Sequence, residues 1–370
     1  MAVLVSSLAD IQWLTGFTGS NGICLVLGQE SFLFTDGRYR DQAEQEVREF
    51  REIQAHRFRS VQDQPTTAAG GTPAQTGTVH VRIVSGSLIA AVGDLCRERI
   101  DLRKDVLRFQ ADHLTVADYD ALVLALPDSR LEGVSGLLNR ARALKSDDDL
   151  GALKRALALS ETVFEAVLGI VKEGMTELDL AAEIDYRQKM AGASRSSFET
   201  IVASGPNSAL PHARPGTTRL APHTPVLVDF GCVLDGWCSD MTRMFCLGEP
   251  PADFLSAYTI VDQARASAVI QARAGMTSRE LDAVARDVIA HAGMDDAFSH
   301  SLGHGLGTEV HEWPPVSFRS ETVLPAGSVV TVEPGVYFPG RYGIRIEDTV
   351  RLGPGPAERL NRLSTELFIV

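Results

Sequence analysis

Residues 329–350, VVTVEPGVYFPGRYGIRIEDTV, read as two strands joined by a short loop. Both arms are rich in Val, Ile and Tyr, which are residue types that favour strands. A turn centred on Gly340 places Glu333 opposite Glu347, inside runs that otherwise have the composition of a protein core. A buried carboxylate destabilises a fold unless a cation or a proton compensates its charge. The two glutamates therefore indicate that this protein supplies a counter-charge at the hairpin.

A second hairpin with the same property is predicted at residues 226–248, VLVDFGCVLDGWCSDMTRMFCLG. Its Asp235-Gly236 pair is a strong signal for a two-residue turn, and that turn puts Asp240 opposite Gly231. Asp229 is then a diagonal neighbour of Asp240 on the same face, about 7–8 Å away between Cα atoms. If the two hairpins converge, four carboxylates cannot all stay charged without divalent cations. The alternative is that each acid is solvated separately at a strand edge.

A histidine-rich segment could complete such a site. Residues 298–315, FSHSLGHGLGTEVHEWPP, contain His300, His304 and His311, and three glycines alternate around His304. Those glycines remove bulk next to the imidazole, as a metal ligand requires. A neutral imidazole among carboxylates suits Mn, Co, Zn or Fe, whereas an all-oxygen site would suit Mg or Ca.

The chain organisation predicts two domains. Residues 1–141 alternate strand-like and helix-like pieces, which is typical of a small α/β domain, and contain a Gly- and Pro-rich segment at 62–77 that we predict to be a mobile loop. The polar stretch RALKSDDD (142–149) reads as a connection to the second domain, 142–370. Two 19-residue segments, GMTELDLAAEIDYRQKMAG (174–192) and GMTSRELDAVARDVIAHAG (275–293), each follow a long helix and precede an acidic hairpin. This repetition predicts two related α/β halves.

Composition narrows the classes of partner. The net charge of −13 argues against binding to nucleic acid or to anionic membrane surfaces. No apolar run approaches the roughly 20 residues of a membrane span, and no basic segment of a signal peptide precedes the first apolar residues. The five cysteines show no CxxC spacing, so we expect reduced thiols in a cytoplasmic protein.

Five ordered motifs resemble those of the M24 metallopeptidases, which have the pita-bread fold: GPNSALPHARPG (205–216), VDFGCVLDGWCSD (228–240), HSLGHGLGTEVHE (300–312), VEPGVY (332–337) and GIRIED (343–348). The likeness is greatest to the proline-specific branch, Xaa-Pro dipeptidase (prolidase) and aminopeptidase P. TGFTGS (15–20) and TDGRY (35–39) also resemble the creatinase-type N-terminal domain of that branch. The resemblance implies an α+β protein with a pita-bread catalytic domain after a small α/β domain.

The resemblance also implies a set of metal ligands and two divalent ions per chain, with Mn preferred and Co or Zn as alternatives. By that mapping Asp229 chelates one ion, His304 and Glu333 mainly hold the other, and Asp240 and Glu347 bridge both. A hydroxide between the ions would attack the peptide carbonyl, and Glu333 would also act as proton acceptor.

Three further residues match family positions that contact substrate: His212, His311 and Arg345. An Xaa-Pro bond has no N–H for recognition. An apolar pocket for the ring and a cation for the proline carboxylate would restore selectivity, and Arg345 is a candidate for that cation. Alternatively, Arg345 forms a salt bridge that orients Glu347 or Asp348.

The expected reaction is hydrolysis of the Xaa-Pro bond, most readily in dipeptides, with aminopeptidase P activity on longer peptides as the alternative. Remote alternatives are a creatinase-type amidinohydrolase and a non-enzymatic pita-bread binding protein. Relatives use residues of the neighbouring subunit's N-terminal domain to close the pocket, so we expect a homodimer. Asp36, Arg38 and Tyr39 are either part of such a contact or a turn at the start of a helix.

Overall fold

The computed structural model describes residues 2–28, 30–61, 78–101 and 104–370. It divides into two compact units, Met1–Ala141 and Arg142–Val370. The segment 62–77, predicted to be a mobile loop, lies outside the described residues. Within the described ranges, no helix is both long enough and apolar enough to cross a bilayer.

The first unit is an α/β sheet with helices on both faces. Its elements are β1 (Ala2–Val5), α1 (Leu8–Thr15), β2 (Ile23–Leu27), β3 (Glu30–Asp36), α2 (Arg40–Val61), β4 (Thr78–Val84), α3 (Leu88–Arg99), β5 (Val106–Gln110), α4 (Val116–Ala125) and β6 (Arg130–Val134). The sheet order is β4-β3-β2-β1-β5-β6, and α5 (Asn139–Ala143) follows it. Successive side chains of β1 point to opposite faces of the sheet and pack into two separate hydrophobic cores. Leu4 packs in the same core as Val92 of α3, and Val5 packs in the same core as Ile11 of α1. The sequence pattern indicates five strands (AVLVSS, ICLVLG, SFLFTD, VHVRIVS and DVLRF) and two helices (RDQAEQEVREF and SLIAAVGDLCRERI), which correspond to β1–β5, α2 and α3. The remaining elements, α1, α4, β6 and α5, were not predicted.

The second unit contains two halves with the same order of helices and hairpins. The first half comprises α6 (Asp147–Leu168), α7 (Glu177–Met190), β7 (Arg195–Ser196), β8 (Ile201–Ser204), β9 (Pro225–Phe230), β10 (Cys232–Leu234), β11 (Trp237–Cys238) and β12 (Met241–Cys246). The second half comprises α8 (Ala252–Gln271), α9 (Ser278–His291), β13 (Gly303–Gly305), β14 (Glu312–Val316), β15 (Val329–Val332), β16 (Gly335–Phe338), β17 (Tyr342–Arg345) and β18 (Asp348–Arg351). Two short strands, β19 (Glu358–Arg359) and β20 (Phe368–Ile369), add to the edges of the two main sheets, β20-β12-β9-β8 and β14-β13-β15-β18-β19.

The repeated segments begin their helices in the same way. Thr176 and Thr277 cap α7 and α9, and each forms a capping box with the acid three residues later, Asp179 or Glu280. Each threonine also makes an isolated antiparallel bridge to the chain ahead of the acidic hairpin, to Arg219 or to Val323. The duplication predicted from sequence therefore extends to the local hydrogen bonds.

The first acidic hairpin has the predicted register. Asp235 and Gly236 have φ values of 51° and 80°, as a two-residue hairpin turn requires, and Leu234 faces Trp237. The same register continues to β9 and β12, where Asp229 faces Thr242. Between these pairs a Cβ at Gly231 would lie 1.9 Å from the carbonyl oxygen of Ser239, so only glycine fits there. This close approach brings the strand ends that carry Asp229 and Asp240 together.

The second acidic hairpin also turns around Gly340. Gly335 faces Arg345 in β16 and β17, and Val332 faces Asp348 in β15 and β18. The two strand pairs share one register, and Glu333 and Glu347 lie in the short interruption between them. Both glutamates are therefore set side by side where the backbone ladder is broken.

Candidate active site

A pocket of about 520 Å³ in the second unit collects most of the predicted site residues. Asp229, Asp240, His304 and Glu333 line it, together with the three predicted substrate contacts, His212, His311 and Arg345. Glu347 is only 1% exposed and lies behind the surface of the pocket. The structure thus brings both hairpins, the loop before β9 and the β13–β14 segment to one place.

Three of the carboxylates form a tight buried cluster. One oxygen atom each from Asp229, Asp240 and Glu347 lies within 4.8 Å of the others. These residues are only 9%, 5% and 1% exposed, respectively. Oδ1 of Asp229 and Oε1 of Glu347 are buried and have no hydrogen-bond partner. Orphaned buried carboxylate oxygens are costly unless a cation meets them, so this donor set fits a divalent metal.

His304 and Glu333 adjoin that cluster. Nε2 of His304 lies 3.3 Å from Oε1 of Glu333 and 3.5 Å from Oδ2 of Asp240. The other ring nitrogen, Nδ1, is 3.1 Å from the carbonyl oxygen of Gly305, which fixes the ring orientation. Thr331 accepts a 3.0 Å hydrogen bond from the His304 backbone and donates one of 3.1 Å to Glu333. All five predicted ligand side chains therefore converge.

The proton affinities reflect an excess of negative charge. Burial raises the pKa of Asp240 and Glu347 well above the usual range, and neighbouring carboxylates raise it further. Burial alone would also raise the pKa of Glu333, but the hydrogen bond and charge of His304 lower it to about 2. Burial tends to lower the pKa of His304, and Glu333 outweighs that effect and raises it. The His304–Glu333 pair is thus charged, while Asp240 and Glu347 need protons or a cation.

Arg345 is buried and held by four groups. Its Nη2 donates to Oδ2 of Asp229, and its Nε donates to the Thr242 hydroxyl at 3.1 Å. Its Nη1 donates to the Tyr337 hydroxyl at 2.7 Å and to the carbonyl oxygen of Pro211 at 3.2 Å. Arg345 therefore orients an acid of the cluster, although this acid is Asp229 rather than Glu347 or Asp348, which were the alternatives considered from sequence.

The two remaining histidines lie on loops that buried acids hold in place. The ring of His311 is 4.4 Å from that of His304 between centroids, and burial followed by the charge of His304 lowers the pKa of His311. Glu312, next in sequence, binds the side chains of Arg142 and Lys145. His212 is exposed at the pocket mouth, on a loop whose backbone donates from Gly216 to the buried Glu177 at 3.0 Å.

Comparison with known proteins decides the family. The model described as metallopeptidase family M24 matches residues 151–354, and the creatinase/prolidase N-terminal domain matches residues 1–144. The chain belongs to metallopeptidase family M24. An uncharacterized peptidase of Bacillus subtilis, YqhT, is 34% identical over 368 residues, which cover 100% of this chain and 95% of that protein.

Two solved peptidase structures are similar to this protein over the whole chain. The Xaa-Pro dipeptidase from Bacillus anthracis has a TM-score of 0.86 and 33% identity, and covers 100% of this chain and 95% of its own. The X-Pro aminopeptidase from Thermotoga maritima has a TM-score of 0.85 and 32% identity, covering 100% of this chain and 97% of its own. The α+β architecture expected from sequence, a creatinase-type N-terminal domain followed by a pita-bread domain, is confirmed.

The M24 site also contains residues to which the sequence assigned no role. His300, named only as part of the histidine-rich segment, lines the pocket, and its Nε2 is 3.0 Å from the hydroxyl of Tyr337. Tyr337 lies four residues after Glu333 in the hairpin, so the strand alternation already places both on one face. Thr242 faces Asp229 in the predicted register and could have been found in the same way.

Proposed function

We propose that this M24 peptidase hydrolyses the Xaa-Pro bond and prefers dipeptides. The observation that carries this proposal is the convergence of the two acidic hairpins and His304 in one pocket. Similarity to the Bacillus anthracis Xaa-Pro dipeptidase over the whole chain supports the substrate class. Residues 1–141 and 142–370 are proposed as the two domains, in agreement with the division of the structure at Ala141 and Arg142.

We propose two divalent ions per chain, with Mn preferred and Co or Zn as alternatives. Asp229, Asp240, His304, Glu333 and Glu347 would hold them, because these side chains converge and two of the carboxylate oxygens are otherwise orphaned. When bound, such ions supply a water of lowered pKa and polarise the scissile carbonyl. A mixed imidazole and carboxylate set favours transition metals over Ca²⁺.

The protein groups around this centre have complementary proton states. The Glu333 carboxylate lines the pocket with Oε1 3.3 Å from Nε2 of His304, and it can accept a proton at an oxygen. The pKa of His311 is lowered, so its imidazole is neutral near pH 7 and can donate a hydrogen bond to a developing oxyanion or to the leaving nitrogen. His212, exposed at the pocket mouth, is proposed to contact the substrate. Arg345 keeps Asp229 oriented while these transfers occur.

Apolar side chains offer a place for the proline ring. Five apolar residues line the same pocket: Phe198, Ile201, Pro211, Ala213 and Val310. Because the Xaa-Pro nitrogen carries no hydrogen, contact with the ring has to replace the hydrogen bond used by general peptidases. This lining supports proline selectivity over Ala-Ala.

We further propose a cytoplasmic homodimer in which the first unit of one chain approaches the pocket of its partner. All five cysteines are buried and unpaired, which suits a reducing compartment. The Arg38 side chain is 74% exposed and pairs at 2.8 Å with Asp36, which caps the short helix Gly37–Tyr39. Its capping role explains why Asp36 stands at this position, and the exposed guanidinium of Arg38 can contact the partner subunit. Light scattering at micromolar concentration tests the dimer, and a fully active monomer would contradict it.

Three substrates test the proposed function: Ala-Pro, Ala-Pro-Ala and Ala-Ala, each assayed with the Mn²⁺-loaded protein under one set of conditions. We expect the highest kcat/KM for Ala-Pro. Faster turnover of Ala-Pro-Ala would support aminopeptidase P activity, which the TM-score of 0.85 to the Thermotoga maritima X-Pro aminopeptidase keeps as the second candidate. Equal turnover of Ala-Ala would contradict proline selectivity.

A further inference from the structure

The pocket offers two permanently charged cations to an anionic group of the substrate. Among the described residues that line it, these are Arg214 and Arg345. All three guanidinium nitrogens of Arg345 are already hydrogen-bonded, to Thr242, Pro211, Tyr337 and Asp229. An incoming carboxylate would have to break buried hydrogen bonds to reach Arg345, and each broken bond would leave a desolvated partner.

Arg214 is in the opposite situation. Its side chain is 83% exposed. Within the described part of the chain it forms a long ion pair, with 3.8 Å between its Nε and Oε2 of Glu199. The Glu199 side chain is itself 70% exposed and lines the same pocket. Exposed ion pairs of this kind contribute little free energy, so a substrate anion can replace Glu199 at small cost.

The backbone beneath Arg214 is anchored although its side chain is not. Nδ2 of Asn207 donates to the Arg214 carbonyl oxygen at 3.3 Å, and the Gly216 amide donates to the buried carboxylate of Glu177 at 3.0 Å. The preceding residue, Ala213, is buried. The guanidinium therefore extends from a fixed point at the pocket mouth, and only side-chain torsions have to change for it to meet a ligand.

The distribution of charged side chains in the pocket makes Arg214 the candidate to bind a substrate carboxylate. In the interior, Asp229, Asp240 and Glu333 are candidate metal ligands and Arg345 is hydrogen-bonded to Asp229, so among the described lining residues no cationic side chain is left free there for the terminal carboxylate of a bound dipeptide. A cation at the mouth, next to the apolar residues Ala213 and Pro211, can hold that carboxylate away from the acidic centre. Arg is suited to this because its planar fork binds a carboxylate in a bidentate manner.

We propose that Arg214 is the specificity-determining residue that binds the proline carboxylate of an Xaa-Pro dipeptide, in exchange for Glu199. The inference rests on the proposed Xaa-Pro hydrolysis and assigns the carboxylate contact to Arg214 rather than to Arg345. Glu199 serves as the resting partner of the guanidinium and leaves it when the substrate binds.

The test compares Ala-Pro with its C-terminal amide, Ala-Pro-NH₂, on the metal-loaded protein. Arg214→Ala should raise KM for Ala-Pro by about tenfold, as expected for loss of a charged hydrogen bond, and leave KM for the amide unchanged. Arg214→Lys should recover part of the loss because it keeps the charge. L-proline should inhibit the wild-type protein more strongly than prolinamide, and Arg214→Ala should abolish that difference.

Controls separate this contact from general electrostatic effects. Arg279 forms an exposed 2.9 Å ion pair with Glu321, and neither residue lines the pocket. Arg279→Ala should therefore leave KM unchanged for both Ala-Pro and its amide. Glu199→Gln should lower KM for Ala-Pro, because the competing anion is removed. In the wild type, KM for Ala-Pro should rise with salt more steeply than KM for the amide, because salt screens exposed charges.

The outcomes distinguish this inference from the proposed function. If the wild type cleaves Ala-Pro but Arg214→Ala affects both substrates equally, or neither, the role of Arg214 is overturned and Xaa-Pro hydrolysis stands. A wild-type protein that cleaves neither substrate would overturn the proposed function and the role of Arg214 together.

Discussion

Thr242 donates a 3.0 Å hydrogen bond from its hydroxyl to Oε2 of Glu347, which joins the acidic hairpins of the two halves. The same hydroxyl accepts a 3.1 Å hydrogen bond from Nε of Arg345. A 3.3 Å bond from the Glu347 amide to the Thr242 carbonyl oxygen adds a backbone link. The Thr242 side chain therefore orients the candidate ligand Glu347, and it also orients Arg345, which binds the candidate ligand Asp229.

Thr242→Val tests this connection, since valine keeps the shape and removes the hydroxyl. We expect destabilisation of about 1–3 kcal/mol from the unpaired groups, and a loss of roughly 10–100-fold in metal affinity because Glu347 is no longer oriented. Chemical denaturation and competition with a metal-binding dye measure the two effects. Thr349→Val is the matched control, because Thr349 is fully buried and its hydroxyl has no partner. Equal effects of both substitutions would contradict a specific role for Thr242.

Removal of metal should lower the melting temperature as well as abolish hydrolysis. Without a cation, the buried cluster of Asp229, Asp240 and Glu347 has to take up protons or keep repelling charges, which destabilises the folded state. Restoring Mn²⁺ to about 100 times its Kd should stabilise the protein by about 2.7 kcal/mol for each ion bound. Differential scanning fluorimetry with elemental analysis measures this. Glu347→Gln should reduce the change in melting temperature caused by metal, whereas the surface control Glu321→Gln should leave that change as in the wild type. A chelated protein with unchanged melting temperature and full activity would disprove the metal site.

Glu177 should matter for catalysis although it does not line the pocket. Its buried carboxylate accepts hydrogen bonds from the Ser204 amide at 2.7 Å, Nδ2 of Asn207 at 2.9 Å and the Gly216 amide at 3.0 Å. Glu177→Gln turns an NH₂ group towards at least one of these donors, and should therefore loosen the loop that carries His212. We expect kcat/KM for Ala-Pro to fall by about tenfold or more, in line with a loss of about 1–3 kcal/mol.

The matched control for Glu177 is Glu183→Gln on the same helix, where the acid makes a partly exposed 2.7 Å pair with Arg187. This variant should keep wild-type kinetics. If Glu177→Gln retains full kcat/KM, the loop does not depend on that carboxylate.

The stability contributed by Glu312 should depend on pH. Burial alone would raise the pKa of this carboxyl, but the charges of Lys145 and Arg142 lower it from 4.5 to about 2. A lowered folded-state pKa means that the contribution is present above pH 4.5 and is lost as the pH falls towards 2, a change on the order of 3 kcal/mol. The difference in unfolding free energy between the wild type and Glu312→Gln should therefore shrink below pH 4.5.

Urea denaturation from pH 7 to pH 3 measures that difference. The control is Glu358→Gln, because Glu358 pairs with Lys154 at an exposed position and should show little effect at any pH. A Glu312 difference that stays constant through this range would contradict the ion-pair explanation.

The least predictable features are contacts between residues far apart in the chain. The stretch RALKSDDD (142–149) reads as a polar connection, yet Lys145 lies buried against Glu312, 167 positions later. Nothing in the local pattern marks Lys145 as buried, because charged residues in a connection are normally solvated. Strand β6 was missed for a related reason: its residues are partly exposed at the sheet edge and show no clear alternation.

The sequence by itself determined both hairpin registers, the capped helices of the repeat and the four hairpin acids, whereas the full ligand set with His304 was implied by the resemblance to the M24 motifs. The registers follow from local rules, since a two-residue turn with Asp235 and Gly236 at positive φ sets which residues face each other along the strands. Only the tertiary structure decided how the hairpins meet, which acid Arg345 pairs with, and that Arg214 is left available at the pocket mouth. Such pairings depend on how separate elements pack, and one sequence pattern is compatible with several partners until that packing brings particular side chains within hydrogen-bonding distance.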